Sequence, residues 1–380
     1  MQPLPLRFPF AWPRAAEPPV ELATLREEPV VRVTLPSGDE AFLVTRYEDI
    51  RRVLSDPRVS RNRDRPGAPR MTEQKTKVFQ NPRIDRDPPE HTRMRRLMAK
   101  AFTATRVEAL RPHVRQVAEE LVTDLLKQSP PVDLHEAFAV PLTLQVICGL
   151  LGVPPEDQAR FRGSLGEAWQ YMGELIEGKR RDPGDDLISA LIGVHDEDDG
   201  RLSAHELHVW CVILLLAGFE TTATQLGSGT VLLLTHPDQL ERLREDPGLI
   251  PDAVEELLRC QIAGHSLSML RYVTDDIEVG GVTIPRGSGL IPILESANFD
   301  ESVFPDPMRL DITRKNNQHL VFSAGPHFCM GAALARLELQ VALEALIRKV
   351  PTLRLAVPPS VLRHHDSPLD LGLREVPVAW

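Results

Sequence analysis

Apolar residues recur at three- and four-residue steps through most of the chain, which predicts a mainly helical protein. The clearest example follows Gly331, where apolar residues line one helix face until Pro351 ends the pattern. Helices are predicted at Tyr47–Ser55, Asp87–Phe102, Val107–Lys127, Leu134–Leu151, Asp185–Val194, Ala204–Leu234, Pro251–Cys260 and Gly331–Val350.

Short runs rich in β-branched residues predict small sheets beside these helices. Val30–Thr34 and Ala41–Thr45 flank a turn at Pro36–Asp39 and therefore predict a hairpin. Further strands are predicted at Leu270–Thr274, Ile277–Val279, Val282–Ile284 and Gly289–Leu294. The expected fold class is mainly α with small β-sheets (α+β).

The longest predicted helix carries a weak point in its middle. Ser203 and Glu206 form a capping-box pattern at its start, and a run from Ala204 to Leu234 would be roughly 45 Å long. The central Ala217–Thr222, AGFETT, combines glycine, an acid and two threonines, which are poor helix formers together. Threonine hydroxyls also bond back to helix carbonyls and bend the axis. The pattern indicates either a tolerated kink or a functional site.

The stretch His319–Glu338 places one cysteine, Cys329, between Gly325 and Gly331 and directly before the C-terminal helix. The unpaired N–H groups of a helix start favour a thiolate at such a position. Glycines allow a close approach of a large flat ligand. An inert, buried cysteine is the alternative interpretation of this residue alone.

The residues around this cysteine resemble a known family signature. Phe322, Gly325, His327, Cys329 and Gly331 match the F-x-x-G-x-H-x-C-x-G pattern of cytochrome P450 proteins. The resemblance implies that the Cys329 thiolate is the metal ligand, bound to the iron of heme b, and that the other four residues contact the cofactor.

The AGFETT segment is similar to the oxygen-activation pattern of the same family, (A/G)-G-x-(D/E)-T-(T/S). The resemblance implies that Gly218 lies against the cofactor. It also implies two catalytic residues: Thr221, which hydrogen-bonds the bound oxygen, and Glu220, which relays protons.

Basic residues elsewhere complete the expected cofactor site. His91 and Arg95 are four apart in DPPEHTRMRR and share a helix face, which in isolation is typical of a solvated surface. This segment resembles the family's propionate-binding helix, and Arg271 matches its propionate-binding arginine. With His327, these residues would supply partners for two carboxylates that are costly to bury unpaired.

Glu256 and Arg259 form an E-x-x-R pair that resembles the family's buried structural pair, with Arg314 as the candidate third member. An exposed pair of this spacing would contribute little to stability. Two features depart from the family pattern. Phe299 replaces the usual arginine in ANFD, and only about 25 residues, Asp157–Arg181, are available where relatives carry longer roof helices.

Composition and charge indicate which classes of function and which locations to expect. The 380-residue chain has a net charge of −10 with interspersed charges, which gives no support for nucleic-acid binding. Four cysteines without a CxxC pair fit a reducing cytoplasm. The apolar run Val209–Phe219 is too short to span a bilayer, and the proline-rich N-terminus, about 1–20, lacks an apolar signal core. We therefore expect a cytoplasmic protein without a membrane anchor.

The resemblance as a whole implies a single heme-thiolate monooxygenase domain over residues 1–380, with the heme between the long helix and the Cys329 loop. Such an enzyme would use O2 and electrons from NAD(P)H, delivered by ferredoxin and ferredoxin reductase, to hydroxylate a small organic substrate of secondary metabolism. Three alternatives stay open: oxidative C–C, C–O or C–N cross-linking of a peptide or carrier-bound substrate, peroxide-driven oxidation, and a non-catalytic heme-thiolate sensor.

Substrate contacts are expected from several separate regions. These are the loop Ser60–Pro82, the helix face near Leu214 and Ala217, the segment Ile262–Leu270 with His265, and the turn His364–Leu371.

Overall fold

The computed structural model describes residues 6–10, 21–62, 65–72, 85–99, 102–162, 165–196, 202–260, 269–365 and 372–380. The chain divides into two compact units. The first unit consists of Met1–Thr92, Ser228–Cys329 and Val357–Arg374, and the second of Arg93–Gly227, Met330–Ala356 and Glu375–Trp380. The expectation of a single domain stays a prediction.

Strands in the described residues are short, as the sequence predicted. They are β1 (Leu6–Arg7), β2 (Val30–Thr34), β3 (Glu40–Val44), β4 (Val59–Ser60), β5 (Val132–Asp133), β6 (Arg271–Val273), β7 (Ile277–Val279), β8 (Val282–Ile284), β9 (Gly289–Pro292), β10 (Arg354–Leu355) and β11 (Pro377–Ala379).

Helices are the main secondary structure of the described chain, which confirms the predicted fold class. They are α1 (Glu21–Leu25), α2 (Tyr47–Ser55), α3 (Glu90–Ala99), α4 (Ala104–Ala109), α5 (Arg111–Leu126), α6 (Val140–Leu151), α7 (Leu165–Arg181), α8 (Leu187–Asp196), α9 (Ala204–Leu234), α10 (Pro237–Glu245), α11 (Ile250–Arg259), α12 (Leu294–Asn298) and α13 (Ala332–Lys349).

The first unit contains a six-stranded sheet with the order β1-β2-β3-β9-β6-β4. Its predicted hairpin is confirmed, since β2 and β3 pair antiparallel from Val30↔Val44 to Thr34↔Glu40. A second predicted hairpin, β7–β8, is confirmed as well. Alternate side chains of the sheet and one face of α2 bury a shared apolar core that includes Leu43, Ile50 and Leu290.

The second unit is helical around a small sheet with the order β10-β11-β5. Its core combines apolar faces of α3 and α6 to α9, including Ile147, Met172 and Leu215. Helices α5 and α13 carry further buried apolar stripes, as their three- and four-residue spacing predicted.

Helix α9 begins and ends at the predicted residues. The Ser203 N–H donates to the Glu206 carboxylate at 2.8 Å, and the Glu206 N–H donates to the Ser203 hydroxyl at 3.2 Å, so the capping box is confirmed. The helix is uninterrupted through AGFETT. The Thr221 and Thr222 hydroxyls donate back to the Ala217 and Gly218 carbonyls at 2.8 and 3.4 Å, which accommodates the weak helix formers without a break.

Two predicted helices are divided in the structure, and the short interval Asp157–Arg181 also holds two helical elements. Val107–Lys127 is two helices, α4 and α5, joined at Leu110, because Pro112 in the first turn of α5 lacks the N–H that a continuous helix would use. Leu134–Leu151 begins with a π-helical turn at His135–Ala139 before Pro141. Asp157–Arg181 comprises a 3-10 helix, Pro155–Arg162, followed by α7.

By length and composition alone, α9 could cross a membrane, as could a bent helix pair at His135–Leu151 and Pro155–Phe161. In the most apolar 18-residue window of α9, 44% of residues are buried inside the protein. The apolar core helix of a globular protein meets the same criterion.

Candidate active site

Two backbone hydrogen bonds within the first unit close the Cys329 loop. The Cys329 N–H donates to the Phe322 carbonyl at 2.8 Å, and the Phe328 N–H donates to the Gly325 carbonyl at 3.1 Å. Residues Gly325–His327 form a single 3-10 turn between these bonds. The loop therefore returns on itself and places Cys329 beside the backbone of Phe322.

Gly325 has a steric reason to be glycine. Its φ is +68°, and a Cβ at this position would lie 2.6 Å from the Leu54 carbonyl oxygen at the end of α2. A side chain would thus be strained and would also collide with backbone. By contrast, a Cβ on Gly331 would meet nothing within 4 Å.

Cys329 differs from the other three cysteines in its accessibility. Cys148, Cys211 and Cys260 are buried, and burial raises the pKa of each thiol to about 12. Cys329 is exposed. Because a metal is bound by thiolate, Cys329 is the cysteine best placed to be a ligand.

Two of the predicted propionate partners are brought together in the first unit. The imidazole rings of His91 and His327 have centroids 4.0 Å apart and are tilted by 45°. Arg271 is 3% exposed, and its guanidinium donates to the Leu270 carbonyl at 3.3 Å and lies 3.4 Å from the Met269 sulfur. Phe322 is buried, with its ring 6.3 Å from that of Phe328.

Arg95 is assigned to the second unit. It lies one turn after His91 on α3 and is half-buried, so it is not a fully solvated surface residue. The predicted common helix face of His91 and Arg95 is confirmed.

The candidate oxygen-activation residues form an exposed face on the otherwise apolar α9. Ala217, Glu220 and Thr221 are exposed, whereas Ala223 and neighbouring positions are buried. Positions 217, 220 and 221 are three and four apart, so their side chains share one face. The Thr221 hydroxyl donates a hydrogen bond to the Ala217 carbonyl. The lone pairs of its oxygen can still accept a hydrogen bond from another group.

Gly218 lies against another helix. A Cβ on this residue would come within 2.7 Å of the Ile147 side chain on α6. Close packing between α6 and α9 is thus sufficient to explain the glycine, and its predicted contact with a cofactor stays a prediction.

The predicted structural triad is confirmed. Glu256 and Arg259 are both fully buried and joined by two hydrogen bonds of 2.8 Å, and Arg314 approaches the same carboxylate at 3.1 Å. Burial by itself raises the pKa of Glu256, but hydrogen bonds and positive charge from Arg259 outweigh it and hold that pKa below its ordinary value. Phe299, the departure from the family pattern, packs its ring 5.5 Å from the Arg259 guanidinium.

Several predicted substrate contacts lie outside the described residues. His265 and most of Ile262–Leu270 are among them, as are parts of Ser60–Pro82 and of His364–Leu371. The prediction for Leu214 is corrected, because this side chain is buried in the core of the second unit, whereas Ala217 is exposed.

Two buried polar residues, His319 and Glu338, were not singled out in the sequence analysis. His319 hydrogen-bonds Glu255 at 3.1 Å from inside the first unit. Glu338 on α13 is 1% exposed, and neither of its carboxylate oxygens has a hydrogen-bond partner in the described part of the chain. Each is a polar residue at a position where the apolar pattern predicts a core residue, and this departure could have indicated a buried polar group.

The donor set fits a heme. One accessible thiol can supply a single axial sulfur ligand, and the imidazoles of His91 and His327 together with the buried guanidinium of Arg271 suit the two carboxylates of the porphyrin. A structural zinc site would instead need several protein ligands grouped together, and the described residues contain no group of three or more His, Cys, Asp or Glu with that arrangement.

Comparison with known proteins gives a consistent result. The sequence model of the Cytochrome P450 family matches residues 136–247 and 248–360, more than half of the chain. Mycinamicin IV hydroxylase/epoxidase of Micromonospora griseorubida is 44% identical over 375 residues, covering 93% of each chain. Nocardicin C N-oxygenase of Nocardia uniformis subsp. tsuyamanensis is 41% identical over 394 residues, covering 98% of each chain.

A solved structure is similar over the full length. The crystal structure of SgvP, a proposed thioether synthase involved in the tailoring step of griseoviridin, has a TM-score of 0.92 and 43% sequence identity, covering 99% of this chain and all of that one. The predicted P450 fold is confirmed, and the named oxygenase relatives favour an enzyme over a non-catalytic sensor. The chain therefore belongs to the cytochrome P450 family and is a heme b-dependent monooxygenase.

Proposed function

We propose that this enzyme hydroxylates a small organic substrate of secondary metabolism. The observation that carries the proposal is the accessible Cys329 in its glycine-bounded loop, the one exposed cysteine of the four. Relatives named for mycinamicin IV hydroxylation or epoxidation and for nocardicin C N-oxygenation support oxygen insertion into a natural product. Cytoplasmic location remains part of this proposal.

The residues proposed to hold the heme divide by the group they would contact. Cys329 would supply the sulfur ligand to iron, and the propionates would be held by His91, Arg95, Arg271 and His327. Phe322, Gly325 and Gly331 would shape the cofactor's surroundings. When bound, the heme supplies the iron at which O2 is reduced and activated, and the thiolate ligand favours cleavage of the O–O bond.

Thr221 and Glu220 are proposed to control protons on the oxygen side. The lone pairs of Thr221 Oγ1 can accept a hydrogen bond, which would hold a proton next to the reacting oxygen. Glu220 lies one residue earlier on the same exposed face and would exchange protons with solvent. Retention of both groups argues against a peroxide-driven enzyme, which would need neither.

The electrons are proposed to come from NAD(P)H through a ferredoxin reductase and a ferredoxin. A separate redox protein would supply them, since the sequence carries no recognised flavin or iron–sulfur motif. Reconstitution with these proteins should give NAD(P)H consumption that rises when the correct substrate is added.

The carbon monoxide complex of the reduced holoenzyme tests the sulfur ligand. We expect the strongly red-displaced absorption band of a thiolate-bound heme, and Cys329→Ser should abolish it. Cys148→Ala, at a buried cysteine, is the matched control and should keep the band. A Cys329→Ser protein with an unchanged band would overturn the proposal.

Oxidative bond formation on a peptide or carrier-bound substrate is the second candidate. It is favoured by the similarity to the proposed thioether synthase SgvP and by the few residues available in Asp157–Arg181. Product mass separates the two reactions. Hydroxylation adds one oxygen atom to the substrate, whereas ring closure or coupling removes two hydrogen atoms.

A further inference from the structure

Asp87 lies three residues before α3, and its carboxylate accepts from three donors. The Ser60 hydroxyl donates to it at 2.5 Å and the Arg61 N–H at 3.1 Å. The Arg65 guanidinium forms an ion pair with the same carboxylate at 3.5 Å. A carboxylate has lone pairs for all three donors, and its hydrogen bonds are about twice as strong as those between neutral groups. Asp87 thus ties the chain that enters α3 to Ser60 and the residues after it.

Two further contacts join the same two segments of the first unit. The Arg61 side chain donates through Nε to the Asp85 carboxylate at 3.0 Å, and the Asp85 side chain is only 8% exposed. The Arg65 guanidinium lies 5.9 Å from the centre of the Tyr272 ring, within the range of a cation–π contact. The attachment of Asp87 is therefore part of a network and does not depend on one surface ion pair.

The donors to Asp87 belong to the sheet that carries Arg271. Ser60 is buried in β4 and is the antiparallel partner of Tyr272 in β6. Arg271 is the preceding residue of β6 and is the partner of Leu290 in the neighbouring strand β9. Because backbone pairing fixes both strands, the Ser60 hydroxyl has a set position relative to Arg271.

The backbone of Asp87 is bound to the start of α3. Its carbonyl accepts from the His91 N–H at 3.1 Å, which satisfies one of the four N–H groups that a helix start leaves without an intrahelical partner. His91 is buried, and its ring centroid lies 4.0 Å from that of His327. Fixing Asp87 therefore also fixes the position of His91 against His327.

We propose that Asp87 is a positioning residue for the propionate side of the heme site. Its carboxylate is held by the sheet that carries Arg271, and its carbonyl holds His91, so one residue sets the distance between two groups proposed to bind the propionates. When the carboxylate contacts are lost, the start of α3 is held less firmly and the His91 imidazole contacts a propionate less often. The inference rests on the proposed roles of His91 and Arg271.

The test measures the rate at which ferric heme leaves the purified holoenzyme and is captured by an excess of apomyoglobin. Asp87→Asn keeps the side-chain shape but replaces one acceptor oxygen by an amide nitrogen that only donates. It should raise the rate of heme loss about tenfold, equivalent to about 1.4 kcal/mol. Ser60→Ala is a milder change that removes one of the three donors, and it should raise the rate by a smaller factor.

Asp39→Asn is the matched control in the same unit. Asp39 accepts from the Arg70 N–H at 2.8 Å and from the Arg70 side chain at 3.3 Å, so it makes the same kinds of contact with an arginine as Asp87 does. The two aspartate side chains are similarly exposed, at 32% and 26%. The partner of Asp39 is Arg70 and not the start of α3. Asp39→Asn should therefore lose heme at the wild-type rate, whatever its effect on the melting temperature.

A double-mutant cycle tests whether Asp87 acts through His91. In a His91→Ala background the imidazole that Asp87 positions is absent, so Asp87→Asn should change the rate of heme loss by less than about twofold. A residue that only stabilises the fold would have the same effect in both backgrounds.

The inference is overturned if Asp87→Asn and Ser60→Ala lose heme at the wild-type rate, or if Asp39→Asn loses it as fast as Asp87→Asn. It is also overturned if the effects of Asp87→Asn and His91→Ala are additive, because Asp87 would then act independently of the imidazole. If the wild type itself takes up no heme, the proposed function fails first. These outcomes are distinguishable in one series of heme-transfer measurements.

Discussion

Glu338 should destabilise the protein more as the pH rises. Its side chain is 1% exposed on α13, and its carboxylate oxygens have no hydrogen-bond partners among the described residues. Burial raises the pKa of this carboxyl well above its ordinary value of 4.5. The folded protein therefore retains a proton that the unfolded chain releases.

The size of the effect follows from linkage. A raised pKa in the folded state means that stability is fully present below the ordinary value and is lost as the pH rises towards the folded pKa. Each pH unit in this interval costs about 1.4 kcal/mol.

Glu338→Met removes this ionisable group and keeps an unbranched side chain of similar length. The substitution should raise the melting temperature of the holoenzyme, and the gain should be larger at pH 7 than at pH 5. Calorimetry or circular dichroism at the two pH values measures the gain. Glu177→Met, at an exposed glutamate on α7, is the matched control and should show a small shift that does not grow with pH.

The result that refutes the reasoning is a gain for Glu338→Met that is equal at both pH values or falls as the pH rises. Such a result would mean that the buried carboxyl is ionised in the folded protein and is stabilised by partners. A uniform loss of stability would instead mean that the side-chain shape, not the proton, dominates at this site.

Three further predictions concern the loop, the oxygen-side face and the triad. Gly325→Ala should lower the melting temperature far more than Gly287→Ala, because both have positive φ, 68° and 89°, but only the first adds a collision with backbone; equal shifts would contradict this. Thr221→Ala should increase the fraction of NAD(P)H electrons released as hydrogen peroxide at near-normal heme content, and unchanged coupling with a verified substrate would remove its proposed role. Glu256→Ala should leave the buried charge of Arg259 uncompensated at about 3–5 kcal/mol, so that the yield of folded, heme-loaded protein falls; a fully loaded, stable variant would show that the pair is dispensable.

Local sequence patterns predicted the elements whose determinants lie close together in the chain. Helix α9 begins at Ala204, directly after Ser203 of the capping box, and ends at Leu234, as its pattern indicates, because both signals act within one turn. The hairpin β2–β3 was predicted within one residue at each end for the same reason, since alternation and a short turn fix its register.

Features that depend on a tertiary contact were harder to predict from the sequence. Gly218 matches a family motif, yet its Cβ position is closed by Ile147, 71 positions earlier in the numbering of the chain. Proline has no backbone N–H to donate, so the helix must rearrange its hydrogen bonds around it. The π-helical turn before Pro141 and the division of the helix near Pro112 depend on this rearrangement. Spacing rules assume a regular helix and therefore miss these adjustments.

The same distinction applies within the candidate site. The signature around Cys329 lies within ten positions, so a short stretch of sequence is enough to propose Cys329 as the sulfur ligand. The residues that fix the loop in place are remote, since Glu255 lies 64 positions before His319 and Tyr47 lies 271 positions before Gln318. A sequence pattern can thus identify a candidate ligand atom, whereas the contacts that fix its loop come from residues that only the folded structure brings together.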